Sequence, residues 1–141
     1  MYTAVSEAGK TAVEHAHDAA EAIRAINHLS FHDNSLPYPS DAWRLINALA
    51  STAYRLSQAL RQTGQLVRDK HARGEIGIDH GTDYAGEVNA AVRDCLAGLA
   101  DAGHATAQLA DALERAAGPL TYAHYINPIA QTDDDAGEGW S

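Results

Sequence analysis

The chain has 141 residues, which suits one domain, and 45% of them are apolar, which is enough for a core. Its net charge of −9 disfavours nucleic acid and anionic membranes as partners, because both attract cationic surfaces. No apolar run is long enough to cross a bilayer, the first ten residues lack signal-peptide features, and the single cysteine, Cys95, fits a reducing compartment. We therefore expect a cytoplasmic protein.

The first predicted element is a helix over about residues 6–29, rich in Ala and Glu, which are strong helix formers. Thr11 and Glu14 have the Thr-x-x-Glu spacing of a capping box, in which two side chains satisfy backbone N–H groups at a helix start. The helix therefore has an alternative start at Thr11.

Two longer helices are predicted to follow. The second covers about residues 41–73, with Ser40 as its N-cap and Gly74 as the residue that ends it. The third covers about residues 83–117 and ends at Gly118, which a proline follows.

Apolar and small residues recur at alternating spacings of three and four in all three helices, the pattern of a helical bundle seam. The first strip comprises Gly9, Ala12, Ala16, Ala19, Ile23 and Ile26. The second comprises Ile46, Leu49, Ala53, Leu56, Leu60, Thr63 and Val67. The third comprises Val88, Val92, Cys95, Leu99, Ala102, Thr106, Leu109, Leu113 and Ala116. We predict an all-α fold, an antiparallel bundle of three long helices over residues 1–130, with a disordered acidic tail over 131–141.

Small residues also recur every seven positions beside two of these strips. They are Ala50, Ser57 and Gly64 on the second helix, and Gly98, Ala105 and Ala112 on the third. One interpretation is close packing within the chain, because small side chains let helix backbones approach. The other is a second interface, through which a homodimer would complete the bundle.

Histidines and carboxylates on the first helix raise the question of a metal site. Glu14 and His17 have the Glu-x-x-His spacing of carboxylate-bundle metal centres, and Asp101 and His104 on the third helix are the nearest second copy. Both pairs face away from the apolar strips, so a solvated acidic surface is favoured over a di-metal core. A metal-binding bundle or enzyme using Glu14, His17, Glu21, Asp101 and His104 stays the alternative.

Other catalytic signals are missing from the sequence. It contains neither a phosphate-binding glycine loop nor a G-x-S-x-G nucleophile elbow. Cys95 falls in the apolar strip of the third helix, where a small buried hydrophobe is favoured over a nucleophile. We predict no catalytic residues and no cofactor, and we favour a non-enzymatic protein.

The second helix is basic, whereas the flanking helices and the tail are acidic. We predict that its outward face binds an acidic partner protein, since Arg and Tyr are favoured at interfaces. The candidate partner-binding residues are Arg44, Tyr54, Arg55, Arg61 and Arg68. The alternative is a solvated polar face, and the tail carboxylates of residues 133–135 are an internal candidate for the same surface.

The segment YPSDAWRLINALASTAYRLSQALRQ resembles a group of small, uncharacterised, Ala-rich helical proteins of high-GC actinobacteria. The resemblance brings no activity and no catalytic residues with it. The chain differs from the small helical proteins exported by type VII secretion, because Trp43 is followed by Arg44 and Leu45 instead of x-Gly, and no tyrosine precedes Asp or Glu by four positions.

Overall fold

The computed structural model describes residues 9–29, 36–81, 84, 86–124 and 126. Its elements are helix α1 (Ala12–Leu29), helix α2 (Pro39–Ala72), helix α3 (Val88–Ala117) and a 3-10 turn (Gly118–Leu120). No strand occurs in this part of the chain, so the all-α class is confirmed. Contacts divide the chain into two compact units, with the boundary between Tyr38 and Pro39. The predicted tail over 131–141 lies outside the described residues.

Helix α1 begins with the predicted capping box. The hydroxyl of Thr11 accepts a hydrogen bond from the backbone N–H of Glu14 at 3.2 Å, and Oε2 of Glu14 accepts one from the N–H of Thr11 at 2.8 Å. Two backbone N–H groups at the helix start are thereby satisfied. The alternative start at Thr11 is confirmed, because the first helical residue is Ala12.

The apolar strip of α1 does not form a core among the described residues. No residue of the helix is buried, Ile23 is 37% exposed, and only Ile26 is half-buried. Gly9 precedes the helix with a φ of +77°, so it is not part of the strip. The prediction that this strip marks a buried interior is therefore wrong for α1 within the described residues.

Helix α2 begins at Pro39, one residue before the predicted cap, since proline at the first helical position lacks only an N–H that would be unpaired. It ends as predicted at Gly74, whose φ of +71° is left-handed. The N–H of Gly74 donates to the carbonyl of His71 and that of Glu75 to the carbonyl of Lys70, both at 3.0 Å. This pair of bonds is a Schellman motif, which satisfies carbonyls of the last turn.

Helix α3 begins at Val88, about five residues later than predicted. Gly86 has a φ of +74°, which helical backbone does not allow, and the chain turns there. The hydroxyl of Tyr84 in this turn donates to a carboxylate oxygen of Asp94 in the helix at 2.6 Å, which ties the turn to the helix. This bond, with Arg93 beside it, holds the pKa of Asp94 below its usual range.

The packing of α2 against α3 is the main tertiary contact. The buried residues of the two helices are mostly small; they are Ala50, Ala53, Ser57 and Gly64 on α2, and Val92, Thr106, Ala110 and Ala117 on α3. Half-buried residues lie at the intervening contact positions of both helices; they are Ile46, Leu60, Val67, Leu96, Leu99, Gly103 and Leu113. The contact line therefore runs through the small residues of α2, at alternating spacings of four and three.

The predicted seam was right at some positions of both helices and wrong at others. The positions that lie on the contact are Ile46, Ala53, Leu60 and Val67 on α2, and Val92, Leu99, Thr106 and Leu113 on α3. Leu56 and Leu109 are 50% and 51% exposed, and Thr63, Cys95 and Ala116 are also exposed. The reason is that two helices bury most completely only the positions on their line of closest approach, and small residues allow a closer approach there than leucines do. The edge of α2 formed by Ala50, Ser57 and Gly64, which the sequence pattern placed beside the seam, is therefore the centre of the contact with α3.

The small-residue edge of α3 behaves differently. Gly98, Ala105 and Ala112 are exposed, so their spacing does not mark the contact with α2.

Specific contacts set the register of the two helices. The Oγ of Ser57 donates to the carbonyl of Gly103 at 3.4 Å, and Nε2 of His71 lies 2.8 Å from Oδ1 of Asn89. Among the described residues, no helix is both long enough and apolar enough to span a membrane.

Candidate functional site

A groove of about 500 Å³ runs along one side of the contact between α2 and α3. Its floor is apolar and includes Leu60, Leu96 and Leu99, while Arg61 and Arg68 stand at its α2 rim. The two arginines are seven residues apart, so they project from the same side of the helix about 10.5 Å apart along its axis. The groove combines an apolar surface with the positive charges of two arginines.

The groove has no carboxylate among the described residues that line it. Neither Arg61 nor Arg68 forms an ion pair with a described residue, although acidic residues outnumber basic ones by 19 to 10 in the chain. The other polar side chains there are Ser57, Gln65 and His104. Arginine guanidinium groups present planar donors that suit carboxylates, so this arrangement favours an anionic ligand group.

Two glycines inside helices deepen the groove. Gly64 and Gly103 both line it, and each costs its helix about 1 kcal/mol relative to alanine. A methyl group built on Gly64 would lie 3.8 Å from Nη1 of Arg68 and Cδ2 of Leu96, and one built on Gly103 would meet no atom within 4 Å. Alanine would therefore fit at both positions, so packing between α2 and α3 does not require either glycine.

The five predicted partner-binding residues do not all lie on the same side of α2. Arg61 and Arg68 lie in the groove, and Tyr54, seven residues earlier and 63% exposed, extends the same line. Arg44 and Arg55 are exposed but do not line the groove. Arg44 lies 3.9 Å from a carboxylate oxygen of Asp41 in the same helix.

The five predicted metal ligands are all exposed. In α1, Glu14 is used in the capping box and Glu21 lies 3.4 Å from the guanidinium of Arg24. In α3, His104 lines the groove beside Arg61 and Arg68. Within the described part of the chain, no three His, Cys, Asp or Glu side chains form a group that could hold a metal ion.

The sequence interpretation missed His104 as a neighbour of the two arginines. His104 was considered only with Asp101, because both belong to the same helix and local spacing cannot report contacts between helices. The signal that was available is the seven-residue spacing of Tyr54, Arg61 and Arg68, which places them on one edge of α2.

Cys95 lies outside the core, contrary to its predicted place in the buried strip. Cys95 directly precedes the half-buried Leu96, whereas the groove is lined by residues that directly follow buried or half-buried positions. Cys95 therefore lies on the side of α3 away from the groove.

No protein-family model, curated protein or solved structure matches this chain, so no relative lends it a function.

Proposed function

We propose that this chain is a non-enzymatic helical protein that acts by binding another protein, and that the groove between α2 and α3 receives an acidic segment of that partner. The observation that carries the proposal is the pair Arg61 and Arg68 above an apolar floor that no described carboxylate lines. An apolar centre with charged groups at its edge is typical of protein interfaces.

The proposal includes an antiparallel arrangement of α2 and α3. Two contacts support it: position 57 meets position 103, whereas position 71, further along α2, meets the earlier position 89. It also includes a homodimer as the working form. The exposed leucines of α2 and α3 support the dimer, because a two-helix layer alone leaves these side chains in water.

The glycines of the groove are a second support for a binding role. Gly64 and Gly103 each reduce helix stability where alanine would fit, and both widen the space between the arginines and α3. Stability that is given up at a surface groove is typical of sites where function needs the room. We propose the cytoplasm as the location, since an exposed single thiol stays reduced there.

A synthetic probe tests the groove without knowledge of the natural partner. The probe is an Ala-rich helical peptide with leucines on one face and two glutamates seven residues apart, which matches the spacing of Arg61 and Arg68. Titration into the isotope-labelled full chain should shift the resonances of Gly64, Gly103 and His104. Binding should weaken as salt rises from 50 to 500 mM, because exposed charge pairs are screened.

Charge reversal provides the matched control. The double variant Arg61→Glu with Arg68→Glu should weaken probe binding at least about 10-fold, since two attractive pairs become repulsive. The double variant Arg44→Glu with Arg55→Glu changes the net charge equally and should leave binding within about 2-fold, since long-range terms are screened. Equal losses in both variants, or a peptide with glutamines that binds as well, would refute the groove proposal.

A further inference from the structure

We infer that the side of the α2/α3 pair opposite the groove is the surface through which two copies of this chain associate. We call this side the leucine face, and its most exposed large side chains are Leu56, Leu66 and Leu109. The inference deepens the proposed homodimer, on which it rests, by assigning the residues that form it.

The position of the leucine face follows from the groove. The groove is lined by residues that directly follow buried or half-buried positions, such as 61 and 68 on α2 and 100 and 107 on α3. Residues that come directly before a contact position, such as Leu56 and Leu109, must therefore lie on the other side of both helices. Leu66 also directly precedes a half-buried residue, Val67, so it lies on the same side of α2, about 80° around the helix from Leu56 and further from α3.

The leucine face carries no charge along most of its length. On α2 it consists of Leu, Thr and Ala between positions 45 and 66, and on α3 of Ala, Gly, Cys and Leu between positions 91 and 116. Leu56, Leu66 and Leu109 are 50%, 53% and 51% exposed. An uncharged strip with exposed leucines is unusual on a monomer surface and is typical of a face that another protein covers.

The lack of charge on the leucine face makes a second copy an acceptable occupant. Two chains of net charge −9 repel at long range, and contact through a face without carboxylates adds no buried charge to that repulsion. The leucine face is also complementary to itself, because a two-fold axis brings identical apolar strips together. A charged partner would leave its own charges unpaired against this face.

The area of the leucine face also fits a second copy. The uncharged part of α2 is about 32 Å long at 1.5 Å per residue, and two packed helices are about 18–20 Å wide. Two such faces would bury roughly 1,200 Å² in total, the lower end of the range for stable interfaces. A single helix would cover about half that width, whereas a second α2/α3 pair covers all of it and closes a four-helix core.

The test is the mass of the full chain in solution, measured by sedimentation equilibrium between 1 and 100 µM, with variants on the two sides of the helix pair. The unmodified chain should have twice its 15.0 kDa mass. Leu56→Glu and Leu109→Glu should each raise the dimer dissociation constant at least about 100-fold, because the interface would bury an unpaired carboxylate. Tyr54→Glu makes the same charge change on the groove side, at a residue 63% exposed, and should leave the dimer intact.

Reaction of the Cys95 thiol with a maleimide gives a second readout, since Cys95 belongs to the leucine face. The thiol should react more slowly in the unmodified dimer than in the monomeric Leu56→Glu chain. Unchanged helical circular dichroism would show that a dissociated variant is still folded, and Leu56→Ala would repeat the comparison if Leu56→Glu unfolds.

Three outcomes would overturn the inference: a monomeric unmodified chain, a dimer that survives both leucine variants, or loss of the dimer in Tyr54→Glu. The acidic probe peptide separates this inference from the groove proposal. Probe binding that persists in a monomeric chain leaves the groove intact and removes only the leucine face as an interface.

Discussion

Gly64 offers the sharpest test of the α2/α3 packing, because the structure predicts that a larger residue there stabilises the protein. A methyl group at this position would lie 3.8 Å from Leu96 Cδ2 and 3.9 Å from Leu99 Cδ1, which are ordinary van der Waals distances. Gly64→Ala therefore adds contacts across the seam without displacing α3.

The magnitude has two parts. Replacing glycine by alanine inside a helix stabilises it by about 0.8–1.0 kcal/mol. Burying one methyl group contributes up to about 0.8 kcal/mol, and roughly half of that is expected here because the groove leaves one side open. Gly64→Ala should thus raise the free energy of unfolding by about 1.2–1.4 kcal/mol, measured by urea denaturation with an unchanged slope.

Gly98→Ala is the matched control for Gly64→Ala. Gly98 is in the same kind of helical position but is exposed in the single chain, and a methyl group there would meet no atom within 4 Å. Because Gly98 belongs to the leucine face, both variants are compared in the monomeric Leu56→Glu chain. This variant should gain only the helix-propensity part, about 0.8–1.0 kcal/mol. If Gly64→Ala is less stable than this parent chain while Gly98→Ala is more stable, α3 lies closer to Gly64 than described and the reasoning is refuted.

The same glycine links stability to the proposed function. If Gly64 is retained to keep the groove open, Gly64→Ala should bind the acidic probe peptide more weakly than Gly98→Ala does, although both variants are more stable than the unmodified chain.

Three further predictions concern the ends of the helices. Thr11→Ala should destabilise the start of α1 by about 1 kcal/mol, since it removes one side of the capping box, and amide exchange over residues 12–16 should speed up accordingly. Gly74→Ala should cost the protein about 1 kcal/mol in urea denaturation because its φ of +71° strains a residue with a Cβ, and unchanged stability would argue against the Schellman ending of α2. Tyr84→Phe should raise the pKa of Asp94 in a carboxyl titration followed by NMR, because the hydroxyl is the first cause of its lowered value. The folded-state pKa is depressed, so any stability from this contact is present at neutral pH and is lost as the pH falls through that pKa, where the two chains should become equally stable.

The sequence-derived predictions succeeded where the causes are local. The capping box of Thr11 and Glu14 and the left-handed ending at Gly74 each depend on residues within one turn, and both are present. The start of α3 failed for a related reason. The sequence predicts a start near residue 83, but the left-handed φ of Gly86 is incompatible with helix, so the first helical residue is Val88.

The candidate site was predictable only in part. The basic character of α2 and the choice of Arg61 and Arg68 came from composition and spacing within one helix. Their meeting with His104 across a groove required the register between α2 and α3, which no local pattern encodes.

By itself, the sequence determined three helices, the capping box of α1, the ending of α2 at Gly74 and the periodic apolar character of each helix, because these follow from hydrogen bonds and propensities within a few residues. Only the tertiary structure decided which of two neighbouring strips on α2 meets α3. The strip that meets α3 contains Ala50, Ser57 and Gly64, whereas the neighbouring strip of Leu49, Leu56 and Thr63 lies beside the contact. The physical reason is that small side chains let two backbones approach closely, and this approach turns the leucines beside the line into an exposed apolar surface.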